Sequence, residues 1–218
     1  MSKRFSRIFS VLAVIVATPI LAPQLLAFPY QAKIGSDHVW STAPLLRPQL
    51  DQILQDANTR TQASPLALRT ESRDIFLTDG GWRWLYLANT THNSFALTRA
   101  FTNSVVINQF DPSTGVVSNG TGIGSKRGLA GVIAHEKCHG MVSRQFGRFV
   151  DVLKPQWLRE GYCDYVAGES SLTAADVAAL QAAGRSHPAL PYYLGRQRVA
   201  ATLAANGGNV ERLFDEAR

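Results

Sequence analysis

The stretch GLAGVIAHEKCHGMVSRQF, residues 128 to 146, decides how the rest of this sequence can fold. Apolar residues recur in it at the three- and four-residue spacing of a helix that buries one side. His135 and His139 stand four positions apart, so a helix carries both imidazoles on one face, one turn from each other. We therefore predict a buried helix across this stretch, with two histidines placed to meet one ligand.

The segment HEKCH, residues 135 to 139, has the composition of a metal site with a base beside it. One ion can bind both histidines, and Glu136 is tilted away from them so that its carboxylate can reach a water on that ion. A catalytic zinc also needs a third protein ligand and an open fourth position. Because two histidines at this spacing also occur by chance, the interpretation depends on finding that ligand elsewhere.

The segment KPQWLREGYCDYVAG, residues 154 to 168, predicts a second helix and offers the third ligand. Glu160 follows His139 by 21 positions, and Asp164 lies one turn beyond Glu160 on the same helical face. We predict that Glu160 binds the metal and that Asp164 accepts a hydrogen bond from a ligand histidine. Gly161 is expected to let the two metal-binding helices approach closely. Aromatic and apolar neighbours argue against a solvated helix face.

HEKCH followed by WLREGYCDYVAG resembles the gluzincins, the thermolysin-like and aminopeptidase-like zinc peptidases, over residues 129 to 168. The resemblance implies an α+β, zincin-like fold in which a small mixed sheet packs on the HExxH helix and the C-terminal part is mainly helical. The VVIN run, residues 105 to 108, is similar to the edge strand on which such peptidases lay an extended substrate. The resemblance to gluzincins also implies Zn²⁺ as the cofactor and a peptide or protein as the substrate.

Residue by residue, the resemblance implies a complete catalytic metal site. The metal ligands would be His135, His139 and Glu160, with Glu136 as the general base and Asp164 as the hydrogen-bond partner of a ligand.

Three features depart from related patterns. The metzincin pattern has glycine and histidine where Val142 and Gln145 stand, so that branch does not fit. Lys137 and Cys138 lie inside the motif, where gluzincins usually have apolar or small residues. The chain, at 218 residues, is also short for a large substrate-binding second lobe.

Hydrolysis of a peptide bond also requires a donor for the developing oxyanion. The segment SHPALPYYLGR, residues 186 to 196, contains three candidates, His187, Tyr192 and Tyr193. No motif selects among them, and packing at the start of a helix is the commoner role for either tyrosine.

The two cysteines, Cys138 and Cys163, each lie three positions beyond a proposed ligand. Export would permit a disulfide between them. Helix-packed pairs often miss the required Cα separation, and unbonded buried cysteine is common. The sequence therefore favours two unbonded cysteines but leaves the bond open.

The first 28 residues read as an export segment, because a basic stretch with Lys3, Arg4 and Arg7 precedes an apolar run. A signal peptide cleaved after Ala27 and a single N-terminal membrane anchor are both compatible with it. In either case residues 29 to 218 form one domain on the exported side, secreted or periplasmic in the first case and held at the membrane in the second.

Charge and composition narrow the function further. The net charge is +6, and the three basic residues of the leader reduce it to +3 for the rest of the chain, where basic residues are scattered. A nucleic-acid surface is therefore poorly supported. We expect a zinc-dependent peptidase that acts on the exported side of the membrane. The alternative is a non-catalytic zinc-binding module, a degenerate peptidase in an envelope complex.

The remaining pattern predicts the other elements coarsely. We expect Ser125 to cap the HExxH helix and Gly147 to end it. Strands are expected near 39–40, at 75–77 and within 101–110, a loop or hairpin at 112–128, and helices at 48–61, 155–167, 174–183, 193–205 and 209–216, with 82–88 undetermined.

Overall fold

The computed structural model describes residues 18–89, 91–99, 102 and 104–216, and every structural statement here concerns those residues. A mixed sheet is followed by a mainly helical C-terminal part, which confirms the α+β class. The strands are β1 (Tyr30–Ile34), β2 (Asp37–Ser41), β3 (Asp74–Thr78), β4 (Ala96–Thr98), β5 (Ser104–Asp111), β6 (Val116–Ser118) and β7 (Lys126–Gly128). The helices are α1 (Arg47–Gln62), α2 (Trp82–Ala88), α3 (Leu129–Phe146), α4 (Val150–Leu153), α5 (Gln156–Ala167), α6 (Ala174–Ala182), α7 (Leu190–Ala205) and α8 (Val210–Glu216), after a 3₁₀ turn at Pro23–Leu26.

The VVIN run lies inside the sheet, so the prediction of an edge strand there is wrong. The sheet order is β1-β2-β3-β5-β6-β7, and β5 is parallel to β3 on one side and antiparallel to β4 and β6 on the other. Val105, Val106 and Ile107 are fully buried, as a β-branched run in a doubly covered strand should be. The neighbouring strands come from distant parts of the chain, which the local sequence does not reveal. Among the described strands β4 pairs only with β5, so β4 forms the edge there.

The central strands send alternate residues into two separate apolar layers. Ile75 and Ile107 pack with residues of α1 and α3 on one face of the sheet. Phe76 and Val106 pack on the other face with Trp84 of α2. The HExxH helix and α2 therefore lie on opposite faces of the sheet.

Helix α3 begins at Leu129 without the predicted N-cap. The Ser125 hydroxyl donates instead to a carbonyl oxygen three residues earlier (2.7 Å), and β7 runs directly into the helix. The Glu169 carboxylate occupies the space beside Gly131 in the first turn, where a negative charge is favoured by the helix dipole. Gly147 follows the last turn as predicted, with a φ of 92° that favours glycine.

Lys137 departs from the gluzincin pattern because it anchors α3 to the rest of the fold. Its fully buried ammonium group donates to both Asp37 carboxylate oxygens (2.9 and 2.8 Å) and to Asn58 Oδ1 (2.7 Å). Burial lowers the pKa of Lys137, and the charge of Asp37 opposes that shift. The pair ties α3 to β2 and α1. Removing one partner of such a pair typically costs about 3–5 kcal/mol, since the other charge remains buried.

Gly161 faces α7 and not α3, so its predicted role is wrong. A Cβ on Gly161 would overlap the Gly195 carbonyl group, and a Cβ on Gly195 would lie 2.5 Å from the Trp157 carbonyl oxygen. Successive helix residues are rotated by about 100°, so the residue after Glu160 points away from the metal-binding face. The two glycines therefore let α5 and α7 cross in backbone contact.

Cys138 and Cys163 form a disulfide between α3 and α5, with Cα atoms 5.3 Å apart. Both side chains are fully buried. The separation falls within the range of about 4.4–6.8 Å that a disulfide requires, so the preference for unbonded cysteines was wrong. Cys138, like Lys137, therefore departs from the gluzincin motif for a structural reason.

We expect the double variant Cys138→Ala/Cys163→Ala to lose about 3–4 kcal/mol of unfolding free energy, because the bond closes a loop with a sequence separation of 25. Urea titration of the variant and the natural chain measures the difference. As a control, denatured natural protein should gain no alkyl group before reduction and two after it, by mass spectrometry. Two alkyl groups before reduction would contradict the bond.

The other predicted elements are present with small shifts. The undetermined segment 82–88 is helix α2, and the helix expected from 193 begins at Leu190 because Pro191 fits its first turn. The segment 112–128 contains the hairpin of β6 and β7. The strands expected near 39–40 and at 75–77 are β2 and β3, and the helices expected at 48–61, 155–167, 174–183 and 209–216 are α1, α5, α6 and α8.

The predicted export segment is described in part, since residues 1–17 lie outside the described residues. Pro23 and Phe28 are buried, and Phe28 packs into the apolar layer around α2. Within the described residues no helix combines the length and the apolar character needed to cross a bilayer.

Candidate metal centre

Helices α3 and α5 bring His135, His139 and Glu160 together at one point. The two histidine Nε2 atoms are 3.1 Å apart. Glu160 Oε2 lies 3.3 Å from the Nε2 of His135 and 3.5 Å from that of His139. All three candidate ligand atoms fall within 4.8 Å of one another, so the group can hold a metal ion.

The spacing of these atoms fits a small divalent cation. Nitrogen and oxygen ligands about 2.0–2.1 Å from a tetrahedral Zn²⁺ are about 3.3–3.4 Å from one another. The observed separations of 3.1, 3.3 and 3.5 Å lie on both sides of that value. Two imidazole nitrogens at this distance cannot both carry a proton toward the other, whereas a shared cation satisfies both lone pairs.

Asp164 orients the ring of His135 by contacting Nδ1, the nitrogen that does not face the candidate metal position. Its carboxylate, which is fully buried, lies with Oδ1 2.8 Å from His135 Nδ1. An ionised carboxylate only accepts, so Nδ1 carries the proton and Nε2 keeps its lone pair for the ion. The same oxygen accepts from Arg127 Nη1 (3.1 Å), and Arg127 Nε donates to Glu169 Oε1 (3.1 Å). A chain of alternating charges therefore fixes the ring.

The electrostatics of the group favour a positive charge at its centre. Burial opposes protonation of His135, but its hydrogen bonds with Asp164 and Glu160 outweigh burial and raise the pKa of His135 to about 10. Burial also raises the pKa of Glu160, but the charges and hydrogen bonds of the two imidazoles hold it well below its ordinary value. A metal ion supplies the same positive charge and displaces protons from the ligands.

Glu136 lies beside the ligands but outside the ligand group. Its side chain is buried, and Oε2 accepts a hydrogen bond from the Thr98 hydroxyl (2.7 Å), which also reaches the Glu136 carbonyl oxygen (2.9 Å). Thr98 belongs to the edge strand β4. The second carboxylate oxygen of Glu136 makes no hydrogen bond with any described residue that would compete for a water.

The three oxyanion candidates occupy different surroundings. The half-buried Tyr192 has a pKa raised by burial and by the charge of Glu160, and its hydroxyl accepts from Gln156 Nε2 (3.0 Å). Tyr193 packs against the small apolar cluster around α6. His187 Nδ1 accepts the N–H of Ala189 (3.1 Å) within its own turn. Of the three, Tyr192 is the one whose electrostatic surroundings include a metal-ligand candidate.

Two residues that the sequence reasoning missed complete the surroundings of the site. Arg127 lies in β7, where nothing in the local sequence connects it with Asp164, 37 residues later. Thr98 lies in a three-residue strand, 38 residues before the glutamate that it contacts. An isolated arginine or threonine carries no motif. These contacts become visible only once β4 has paired with β5 and β7 has paired with β6 in the folded sheet.

Comparison of the chain with family models, with curated proteins and with solved structures finds no match. The resemblance to gluzincins therefore rests on the two sequence motifs alone.

We expect Glu160→Ala to bind Zn²⁺ much more weakly than Asp164→Asn does. The first change removes one of three ligand atoms, whereas loss of a hydrogen-bond partner behind a ligand typically lowers affinity by about 10–100-fold. Competition with a chromophoric chelator measures both affinities. Glu211→Gln, an exposed carboxylate far along the chain on α8, is the matched control and should bind as the natural protein does. Weaker binding by Asp164→Asn than by Glu160→Ala would move the third ligand to Asp164.

Proposed function

We propose that this protein is an exported zinc-dependent peptidase with a zincin-like, gluzincin-type site. The observation that carries the proposal is the placement of Glu136, buried beside three convergent ligand atoms and yet outside the ligand group. A purely structural zinc site has four protein ligands, whereas here three leave a position open for water. The order of the two motifs along the chain, HEKCH before WLREG, supports the same proposal.

Zn²⁺ bound by His135, His139 and Glu160 would lower the pKa of a bound water and polarise the substrate carbonyl. Glu136 would serve as the general base that takes the proton of that water and would return it to the leaving amine as a general acid. Thr98 holds one carboxylate oxygen of Glu136, and the other would be available to the water. His135 stays in one tautomer because its Nδ1–H donates a hydrogen bond to the Asp164 carboxylate.

Edge strand β4 is the substrate platform that we propose in place of the VVIN run. It pairs with β5 on one side, and its Thr98 contacts the proposed base. An extended peptide that adds to this edge would pass Glu136 at the position of Thr98. The short strand thus connects substrate position with the position of the base.

Glu136→Gln should abolish hydrolysis and leave zinc bound, because a base is lost and no ligand is. Cleavage of a quenched fluorescent peptide mixture reports activity, and metal analysis of the same sample reports zinc. Glu216→Gln changes an exposed carboxylate on α8 and should retain full activity. Activity that survives Glu136→Gln would remove the proposed mechanism. A natural chain that binds zinc without hydrolysing any peptide would favour the non-catalytic zinc module.

Tyr192→Phe should lower kcat by about 100-fold or more with little change in KM, if its hydroxyl donates to the developing oxyanion. Tyr192 is preferred because its hydroxyl accepts a hydrogen bond from Gln156 (3.0 Å), which lies on α5, the helix that carries Glu160. Tyr193→Phe, the adjacent tyrosine that packs against the α6 cluster, is the control and should leave kcat unchanged. An equal effect of both changes would point to packing and not to an oxyanion donor.

A further inference from the structure

We propose that the α2 side of the domain lies against the phospholipid surface of the membrane in which the N-terminal segment inserts. The docking surface, here called the apolar face, consists of Ile20, Leu21, Leu25, Trp82 and Leu85. Their exposed fractions are 36%, 61%, 60%, 57% and 51%. This inference does not depend on the proposed peptidase activity, since none of these residues belongs to the metal centre.

Arg83 joins the two parts of the apolar face. Its guanidinium donates to the carbonyl oxygens of Leu26 (2.7 Å) and Ala27 (3.0 Å), and it lies 4.7 Å from the centre of the Trp82 ring. The indole is therefore beside the 3₁₀ turn that carries Leu25. Leu85 follows Trp82 by three positions in α2, so both lie on one helical face.

The sequence that precedes the apolar face indicates that a membrane covers this face. Residues 8–17 (IFSVLAVIVA) contain no charged side chain and follow a basic stretch, which is the pattern of a membrane-inserting segment. The described residues begin at Thr18, and the first residue of the apolar face, Ile20, follows two positions later. A membrane-inserted segment that ends there places these side chains at the lipid surface. Tryptophan and leucine are side chains that this interface favours.

The packing of residues 23–28 supports retention of the segment. Pro23 and Phe28 are buried, and Arg83 donates to the carbonyl oxygens of Leu26 and Ala27. Cleavage after Ala27 would remove both acceptors. It would also create a positive α-amino group on Phe28, whose ring lies 5.7 Å from the Arg83 guanidinium. The like charges would then oppose the observed packing.

The full chain, reconstituted in vesicles of phosphatidylethanolamine and phosphatidylglycerol, tests the proposal through its tryptophan fluorescence. Lipids brominated near the head-group end of the acyl chain should quench part of the emission. Trp82→Phe should remove most of that lipid-dependent quenching. Trp157→Phe, which changes a half-buried tryptophan of α5, is the matched control and should leave it intact.

Two results would overturn the proposal. The first is lipid-dependent quenching that is absent, or that survives Trp82→Phe unchanged. The second is a mature chain from the membrane fraction that begins at Phe28, because three of the five residues of the apolar face would then be missing. Either result leaves the zinc and activity measurements unaffected, so failure here is distinguishable from failure of the proposed peptidase function.

Discussion

The close approach of α3 and α5 is the constraint on which this structure depends. One helix carries two imidazoles and the other carries the carboxylate, so neither forms a metal group alone. The Cys138–Cys163 bond fixes the helices with Cα atoms 5.3 Å apart, one turn beyond His135 and Glu160. The hydrogen bond between His135 and Asp164 crosses the same contact (2.8 Å). Because a disulfide and a hydrogen bond both span this helix pair, the donor atoms are held in place before any ion arrives.

That contact requires buried charges to be neutralised on both sides of α3. Asp164 and Glu169 share Arg127, and Glu169 also lies 3.6 Å from Arg60 of α1. Elsewhere on α3, Lys137 is neutralised by Asp37. An unpaired charge in such surroundings would be strongly destabilising. These contacts connect β7 with α5 and with Glu169, α1 with Glu169, and α3 with β2.

The metal group could be predicted from the sequence because its donors lie at helical spacing within two short segments. His135 and His139 are related by one helical turn, and Glu160 lies in a segment with a characteristic pattern of its own. Apart from the N-cap expected at Ser125, the predictions that failed concerned contacts between distant segments. Gly161 was assigned to the wrong neighbour because spacing shows which residues share a face but not which helix covers that face. The VVIN run was correctly predicted as a strand, but its partners are set by the fold, so the expected edge position was wrong.

The disulfide has a chemical consequence besides its mechanical one. Thiolates are softer and more strongly donating ligands than carboxylates, and zinc accepts them readily. Cys138 and Cys163 each lie one turn from a metal-binding position, and their bond removes both sulfurs from competition for the ion. Only nitrogen and oxygen donors then face it. An ion held by two neutral imidazoles and one carboxylate would retain more of its positive charge, so the oxidised sulfur pair would preserve the Lewis acidity that the proposed hydrolysis requires.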